Sequence, residues 1–336
     1  MTVVGPFGLS VRDQDLEADV QAGLAAVEAG LLDATKSEVP FITEAAQHLV
    51  SAGGKRFRPL LVMLASQFGD PDAPGVVPAA VVVELTHLAT LYHDDVMDEA
   101  DVRRGVASAN TRWGNSVAVL TGDFLFARAS HILADLGPEA VRIQAQAFER
   151  LVTGQILETA GPRDGRDPVD HYMDVLGGKT GSLVAVSGRF GALMAGADES
   201  VVDILTQYGE RLGIAFQLAD DVLDIASDSH ESGKTPGTDL REGIPTLPVL
   251  HLRARAAAEG RPEDKELVEL LDGDLSDDAR LAEALRGLRT HPALEQARRD
   301  TVRYAEEARA TLAPLPEGYA KAALEELCDA VVHRAG

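Results

Sequence analysis

Residues 91–105 read LYHDDVMDEADVRRG and place five acidic side chains within eight positions, directly after a run of apolar residues. Like charges four residues apart lie on one face of a helix and destabilise it. Two arginines, Arg103 and Arg104, follow at once. Because carboxylates crowded in this way become favourable when a divalent cation lies between their oxygens, the stretch predicts a cation site.

A second copy of the acidic pattern, QLADDVLDIASD, occupies residues 217–228. Both copies contain Asp-Asp-x-x-Asp in an apolar helical context, so Asp94 and Asp98 share one helix face, and Asp220 and Asp224 share another. One copy alone is typical of an exposed acidic helix face, whereas two copies with basic residues nearby favour Mg²⁺ bound together with a diphosphate. The second copy has no neighbouring histidine, which favours Mg²⁺ over iron.

The chain has 336 residues and a formal net charge of −23, with 45% hydrophobic and 25% charged residues. Its length allows one large domain or two smaller ones. The acidic balance argues against a nucleic-acid partner and against docking on anionic lipid. The single cysteine, Cys328, excludes an internal disulfide and a cysteine zinc site.

The most apolar segment, VVPAAVVVELTHLATLYH at residues 76–93, contains Glu84 and His87. Ionisable residues inside such a segment favour a central buried helix over a membrane span, so we expect no integral membrane segment. The N-terminal residues MTVVGPFGLS lack a basic region followed by a long apolar stretch. No signal peptide is therefore predicted, and we expect a cytoplasmic protein.

Helical patterns dominate the chain. Ala, Leu, Glu and Arg are abundant, apolar residues recur at helical spacing, and no hairpin signal or series of alternating strands is found. EVPFITEAAQHLVSAGG predicts a helix that ends at Gly53, and breaker-rich segments separate further stretches of helical length. We predict one all-α domain over residues 1–336, with a motif-bearing core at about residues 50–250 and C-terminal helices at residues 251–336.

Further basic residues are Lys55, Arg56 and Arg58 in GGKRFRP, Lys179 in GGKTGSL, and Lys234 in SGKTPGTD. Alone, the first segment is equally typical of an ordinary basic helix start. The GKT at residues 233–235 lacks the earlier glycine and the preceding strand of a Walker A motif, which excludes a P-loop. His87 alone would be typical of a core residue, but it shares a helix face with Asp94, which favours ligand binding.

Seven blocks, in order, resemble the trans-isoprenyl diphosphate synthases, also called polyprenyl synthetases, and in particular the long-chain members. The blocks are GGKRFRP, HLATLYHDDVMDEADVRRG, WGNSVAVLTGDF, GQILE, KTGSL, FQLADDVLD and GKTPGTDLREGIPTLP, between Gly53 and Pro248. The resemblance implies an all-α isoprenoid synthase fold, with many helices around a deep central cavity, usually as a homodimer. It also implies Mg²⁺-dependent head-to-tail condensation of an allylic diphosphate primer with isopentenyl diphosphate.

The resemblance implies roles for individual residues. Asp94, Asp98 and Asp220 would bind Mg²⁺, about three ions per active site, and Asp95, Asp221 and Asp224 would complete the motifs as ligands, directly or through water. The allylic diphosphate would be gripped by Arg103, Lys179 and Lys234, with Thr180 and Gln217 near the reacting carbons. Isopentenyl diphosphate would be held by Lys55, Arg58, His87 and Arg104.

The chemistry of the reaction agrees with these roles. Negative charge accumulates on the leaving diphosphate as the allylic C–O bond breaks, and fixed cations stabilise it. The allylic cation would be quenched by water, so the cavity must be apolar and closed. In the family the departing diphosphate takes the proton that is then lost, so no dedicated base is expected.

The growing prenyl tail should pass the helical turns that precede Asp94, where Thr90 and Ala89 lie four and five residues earlier. Family members with short products tend to place aromatic residues at these positions, whereas small residues leave the channel open. Ser130, with the neighbouring Ile132, would line a deeper layer. We therefore predict a heptaprenyl to decaprenyl product, as used for a quinone side chain; the alternative is that Ala89 and Thr90 only pack the helix.

Other functions remain open. A geranylgeranyl diphosphate synthase would use the same motifs with a shorter channel. A terpene cyclase needs no isopentenyl diphosphate site, so GGKRFRP and the second acidic motif disfavour it. A non-catalytic subunit of a heteromeric synthase, or an acidic metal-binding module, would have lost motif positions, but every block is intact. Transient membrane contact for product release is a further option.

Overall fold

The computed structural model describes residues 13–227 and 236–335, and most of this part of the chain is helical. The helices are α1 Gln14–Ala34, α2 Pro40–Ser51, α3 Phe57–Ser66, α4 Val76–Met97, α5 Ala109–Trp113, α6 Asn115–Leu136, α7 Pro138–Ala160, α8 Pro168–Leu176, α9 Ser182–Met194, α10 Glu199–Ala226, α11 Thr238–Arg241, α12 Leu247–Glu259, α13 Pro262–Leu271, α14 Asp278–Thr290, α15 Pro292–Thr311 and α16 Tyr319–Ala335. A π-helical turn, Gly177–Gly181, lies between α8 and α9, and strand β1 (Val102–Arg103) pairs with β2 (Val106–Ala107). The all-α prediction is confirmed.

The chain divides into two compact units, each assembled from three segments. Unit 1 comprises the described residues up to Glu149, Leu183–Gly209 and Thr311–Glu326. Unit 2 comprises Arg150–Ser182, Glu210–Ala310 and the described residues from Leu327 onward. Because each unit takes segments from both halves of the chain, neither is contiguous in sequence. The prediction of one single domain stays a prediction.

Helix α4 lies in the core of unit 1 and packs against α1, α3 and α6. Its apolar side chains include Val82, Leu85 and Leu88, each 0% exposed. Helices α4 and α6 are each long and apolar enough to cross a membrane. However, 67% of the most apolar 18-residue stretch of α4 is buried within the protein. Core helices of soluble proteins share this property, and the predicted central buried helix is confirmed.

The connection from α2 to α3 follows the predicted stop signal. Helix α2 has Pro40 at its first position and ends at Ser51, and Gly53 then adopts φ 85°. Glycine tolerates this left-handed backbone without a steric penalty, which is why it often terminates helices. Arg56, the residue before α3, is also left-handed, at φ 47°, although it has a side chain.

No hairpin was predicted, but residues 102–107 form one, in which Val102 pairs with Ala107 and Arg103 pairs with Val106. The two turn residues, Arg104 and Gly105, have φ of 54° and 77°. Positive φ at both central positions defines the type I′ turn, which matches the twist of two-residue hairpins. The pattern was missed because Arg-Gly lacks the Asn or Asp that usually precedes glycine in this turn.

Candidate active site

The first acidic motif lies at the C-terminal end of α4. Asp94 and Asp95 belong to its last turn, and the amide of Asp98 donates to the Asp94 carbonyl oxygen at 2.8 Å. Asp94 is half-buried and Asp98 is exposed. The C-terminus of a helix carries partial negative charge, so stacked carboxylates there are unfavourable without a cation. The position of the motif therefore favours cation binding.

Arg103 pairs with the buried member of this motif. Its Nε donates to Asp95 Oδ1 at 2.5 Å, and Asp95 is 0% exposed. Burial raises the pKa of Asp95, although the Arg103 guanidinium opposes the shift. Among the described residues, Asp95 Oδ2 has no hydrogen-bond partner. Because buried polar atoms are nearly always bonded, this oxygen is a candidate ligand for a metal or for metal-bound water.

Gly122 allows α6 to approach α4 beside the motif. A Cβ atom there would lie 2.3 Å from His93 Nε2 and 3.1 Å from the Ala89 carbonyl oxygen. His93 is fixed at this crossing, because its Nε2 lies 3.0 Å from the Val119 carbonyl oxygen and 3.4 Å from Asp123 Oδ1. The block WGNSVAVLTGDF therefore supplies the packing that holds the end of α4.

The predicted ligands of isopentenyl diphosphate come from separate elements of unit 1: Lys55 precedes α3, Arg58 lies on α3, His87 lies on α4, and Arg104 lies in the hairpin turn. Burial lowers the pKa of Arg58 to about 10, and within the described part of the chain Arg58 Nε has no hydrogen-bond partner. Burial, followed by the charges of Arg58 and Arg104, holds the pKa of His87 well below its ordinary value. These three side chains form one electropositive cluster in which the imidazole is neutral at pH 7.

The second acidic motif lies near the C-terminal end of α10, in unit 2. Asp220 Oδ1 accepts a hydrogen bond from Arg334 Nη2 at 2.6 Å. The same guanidinium lies over the ring of Phe216, 4.6 Å from its centroid. Arg334 belongs to α16, so the C-terminal helix supplies a cation to the first aspartate of the motif. This contact was not predicted.

A hydrogen-bonded chain links the second motif to the π-helical turn. Asp221, 3% exposed, accepts hydrogen bonds from the Tyr172 hydroxyl and, at 3.2 Å, from Gln217 Nε2. The Thr180 hydroxyl donates to Gln217 Oε1 at 3.4 Å. The structure thus brings together Thr180, Gln217 and Asp221, all of which were predicted site residues.

Asp224 fixes the start of α11. Its carboxylate oxygens accept hydrogen bonds from the amides of Thr238 and Asp239, both at 3.2 Å. Burial, followed by the charges of Asp239 and Asp224, raises the pKa of Asp221 well above its ordinary value. Lys234, predicted to bind the allylic diphosphate, lies outside the described residues.

Lys179 and Thr180 lie on the π-helical turn. Such turns are rare and are frequently found at functional sites. Gly154 of α7 lies against this turn, since a Cβ atom there would be 2.5 Å from the Lys179 amide nitrogen. One helical turn later, Glu158 pairs with Lys179 Nζ at 2.6 Å. In the block GQILE, the glycine therefore permits the close approach and the glutamate holds the lysine.

The predicted chain-length residues lie on α4 and α6. Ala89 is 0% exposed, and Thr90 is half-buried with its hydroxyl donating to the His87 carbonyl oxygen at 2.8 Å. Ser130 is exposed in the single chain, and its hydroxyl donates to the Phe126 carbonyl oxygen at 2.9 Å. Their role as a channel wall stays a prediction.

The donor set of both motifs suits Mg²⁺, because it consists of carboxylate oxygens and includes the unpartnered buried Oδ2 of Asp95. Within residues 13–227 and 236–335, no group of three or more His, Cys, Asp or Glu side chains is placed to hold a metal by itself. Mg²⁺ in comparable sites keeps waters and also binds substrate phosphate oxygens. The assignment of individual ligands stays a prediction.

Several polar residues around these clusters were missed by sequence reasoning, namely Glu28, Glu84, Glu158, Tyr172 and Arg334. Most of them reach their partners from distant parts of the chain, so no local spacing marks them. Glu158 is the exception, because it stands inside the matched block GQILE. Its place in that block, one helical turn after a glycine, was a usable signal.

Known proteins are similar to this chain in sequence and in fold. A sequence model of the Polyprenyl synthetase family matches residues 39–288. The nonaprenyl diphosphate synthase of Mycobacterium tuberculosis is 47% identical to this chain, covering 98% of it and 97% of the relative. The geranylgeranyl pyrophosphate synthase of Corynebacterium glutamicum, solved with calcium and isoprenyl diphosphate, superposes with a TM-score of 0.87 at 44% identity, over 97% of this chain and 99% of that one. A decaprenyl diphosphate synthase from Rhodobacter capsulatus gives a TM-score of 0.85 at 37% identity, over 96% and 99%.

The chain belongs to the polyprenyl synthetase family. It is a prenyl-transferring enzyme with the isoprenoid synthase fold, as the resemblance implied. Members of this family are generally magnesium-dependent, which agrees with the oxygen-only donor set of the two motifs.

Proposed function

We propose that this enzyme condenses isopentenyl diphosphate head-to-tail onto an allylic diphosphate and releases a long all-trans polyprenyl diphosphate, heptaprenyl to decaprenyl, as the precursor of a quinone side chain. The observation that carries the proposal is the pair of Asp-Asp-x-x-Asp motifs, each near the C-terminal end of a helix and each with a fixed arginine beside it. Similarity to a nonaprenyl diphosphate synthase over nearly the whole chain supports the long product.

In this proposal the acidic motifs and their cations bind the allylic diphosphate. Asp94, Asp98 and Asp220 hold Mg²⁺, with Asp95, Asp221 and Asp224 acting directly or through water. When bound, about three Mg²⁺ ions supply positive charge for the leaving diphosphate. Arg103, Lys179 and Lys234 contact the same diphosphate. Asp95 and Glu158 hold Arg103 and Lys179 in place beforehand, and cations fixed in advance stabilise developing charge without reorganisation.

Isopentenyl diphosphate binds, in the same proposal, to Lys55, Arg58, His87 and Arg104. Arginine suits bidentate contact with phosphate oxygens, and the neutral imidazole of His87 still donates one hydrogen bond. The double bond of isopentenyl diphosphate attacks the allylic carbon near Thr180 and Gln217. The departing diphosphate takes the proton that is lost, so no protein base is assigned.

A shorter product, geranylgeranyl diphosphate, is the second candidate. The specific observation in its favour is the likeness to the geranylgeranyl pyrophosphate synthase of Corynebacterium glutamicum at 44% identity. The small side chain of Ala89, at a position where short-product members tend to have an aromatic residue, supports the longer product instead. Product length therefore separates the two candidates.

We also propose a cytoplasmic homodimer in which α6 contributes to the interface. In the single chain Leu120 is 65% exposed and Val119 is 38% exposed. Only 33% of the most apolar 18-residue stretch of α6 is buried. An apolar helix face of this kind is unfavourable in water and marks an interaction surface. Light scattering should give a dimer for wild type and a smaller species for Leu120→Glu; transient membrane contact through this face would instead leave a monomer that binds vesicles.

The test is one incubation series. Purified enzyme receives Mg²⁺, labelled isopentenyl diphosphate and, separately, dimethylallyl, geranyl, farnesyl or geranylgeranyl diphosphate, and the products are dephosphorylated and sized by mass spectrometry. A ladder that ends at one long prenol supports the proposal, and a stop at geranylgeraniol supports the second candidate. Asp94→Asn should abolish elongation, whereas Glu99→Gln, the same change at an exposed residue of the same acidic run, should preserve it. Absence of elongation with every primer would refute both candidates.

A further inference from the structure

The basic segment GGKRFRP contains an arginine, Arg56, whose guanidinium is hydrogen-bonded to protein groups on all sides. The Nε and Nη2 of Arg56 donate to the two carboxylate oxygens of Glu28 on α1. Its Nη1 donates to Glu84 Oε1 at 3.0 Å and to the Gly53 carbonyl oxygen at 3.2 Å, and its Nη2 also donates to the Val50 carbonyl oxygen at 3.0 Å. Every nitrogen of this guanidinium, which is 9% exposed as a side chain, is therefore engaged by the protein.

Glu84 connects this arginine to the hairpin turn. The residue is 1% exposed, and Glu84 Oε1 lies 3.7 Å from Arg104 Nη2 as well as 3.0 Å from Arg56 Nη1. A buried carboxylate between two guanidinium groups stabilises both, and its loss would leave uncompensated positive charge in the interior. Glu84 stands one helical turn before His87 on α4, so its position is set by the core helix of unit 1.

Arg104 is in turn placed against the loop that carries Lys55 and leads into α3, on which Arg58 lies. Its Nη1 donates to the carbonyl oxygens of Leu49, at 2.9 Å, and of Gly53. A Cβ atom at Gly54 would lie 2.8 Å from Arg104 Cζ, so only glycine lets the loop backbone lie this close to the guanidinium. The carboxylates of Glu28 and Glu84 thus offset part of the charge of Arg56, Arg58 and Arg104, and the cluster keeps a net positive charge.

We propose that Glu84 and Arg56 are positioning residues for the isopentenyl diphosphate subsite: Glu84 sets the place of Arg104 and of the loop at residues 53–56, and Arg56 is a structural cation that does not contact the diphosphate. This rests on the proposed function of the cluster. Within GGKRFRP it assigns Arg56 to the fold, whereas Lys55 and Arg58 keep their proposed roles at the diphosphate.

The test is the steady-state kinetics of Glu84→Gln, which keeps the shape of the side chain and removes its charge. The KM for isopentenyl diphosphate should rise about tenfold, while kcat and the KM for the allylic primer stay within about twofold. Glu84→Asp should recover part of the loss, since it restores the charge. Equal changes in both KM values, or none, would overturn the proposal.

Glu28→Gln supplies a second variant that should fold, because the Glu28 side chain is 43% exposed. Here the sign separates the alternatives: if Arg56 were a ligand of the diphosphate, its release from Glu28 would tighten binding, whereas the proposal expects the KM for isopentenyl diphosphate to rise by about threefold. Glu44→Gln, which removes an exposed partner of Arg112 in the same unit, is the matched control and should leave both KM values unchanged. Wild-type enzyme that elongates no primer would refute the proposed function itself, which is a different outcome from any of these.

Discussion

Arg334 Nη2 lies 2.6 Å from Asp220 Oδ1, so a cation from the last helix occupies the first carboxylate of the second acidic motif. The two side chains are 25% and 28% exposed, and the ring of Phe216 covers one face of the guanidinium. An arginine at this position satisfies the carboxylate in the absence of metal. In the proposed function, a divalent cation bound by Asp220 would compete with this arginine for the same oxygen.

The first prediction concerns this competition. Arg334→Met should strengthen Mg²⁺ binding to the substrate-free enzyme by up to about fivefold, since partly exposed ion pairs contribute up to about 1 kcal/mol. The same variant should unfold at a lower temperature in chelator. Isothermal titration and thermal unfolding measure the two effects. Arg309→Met removes the ion pair with Asp329 in the same unit and should lower only the stability; unchanged or weaker Mg²⁺ binding by Arg334→Met would show that no competition exists.

The second prediction concerns the contact between α7 and the π-helical turn. Gly154→Ala places a Cβ atom 2.5 Å from the Lys179 amide nitrogen, so one backbone must move. The free energy of unfolding should fall by about 1–3 kcal/mol, the usual cost of overpacking. The KM for the allylic primer should also rise, because the turn carries Lys179. Gly318→Ala, where a Cβ atom meets nothing within 4 Å, should change neither quantity.

The third prediction is a pH dependence of stability. The folded protein holds His87 neutral with a lowered pKa, whereas the unfolded chain titrates near its ordinary value. Below about pH 6.5 the unfolded state therefore binds a proton that the folded state does not, and the free energy of unfolding falls by up to about 1.4 kcal/mol per pH unit until the folded pKa is reached.

The measurement for this prediction is urea unfolding at about pH 7.5 and about pH 5.5. His87→Gln cannot take up the proton, so it should lose less stability than wild type between the two conditions. The same replacement at the exposed His131 should behave as wild type does. An equal loss in His87→Gln and wild type would show that burial of this imidazole does not govern the acid side of the stability profile.

The fourth prediction concerns product length. Ala89 is 0% exposed and precedes the first motif by little more than a turn, so Ala89→Phe should shorten the product by at least one isoprene unit, as mass spectrometry would show. Since overpacking costs about 1–3 kcal/mol, circular dichroism must first show that the variant is folded. Thr90→Phe, at a half-buried position, is the milder variant. Ala22→Phe on the exposed side of α1 is the control; a full-length product from both α4 variants would place the channel wall elsewhere.

Sequence alone was sufficient where the signal was local. The stop signal at Gly53 and the helical context of Asp94 could be read from spacing within a few residues, and the structure has α2 ending at Ser51 and α4 ending at Met97. The buried helix of residues 76–93 was predictable for the same reason, since Glu84 and His87 within an apolar stretch of that length favour a core helix over a membrane span. These are the features that helical periodicity determines.

The rest depends on partners that only the folded chain brings together. Arg334 stands 114 residues beyond Asp220, and Glu28 stands 28 residues before Arg56, so no pattern marks either pair. The hairpin turn at Arg104 was not predicted, because arginine does not indicate a left-handed backbone. The Arg104 side chain instead contacts the carbonyl oxygens of Leu49 and Gly53, which are distant in sequence. The ion pairs of the site therefore depend on tertiary structure, whereas its helices can be predicted from local sequence.

The π-helical turn at Gly177–Gly181 follows directly on the end of α8 and is one residue longer than an α-helical turn. One extra residue rotates the side chains that follow it by about 100° around the helix axis. Deletion of Gly177 or Gly178 would rotate Lys179 and Thr180 relative to α8, away from the side that faces Glu158 and Gln217. The number of residues in this turn therefore sets the direction of these two side chains, independently of the sequence of α8.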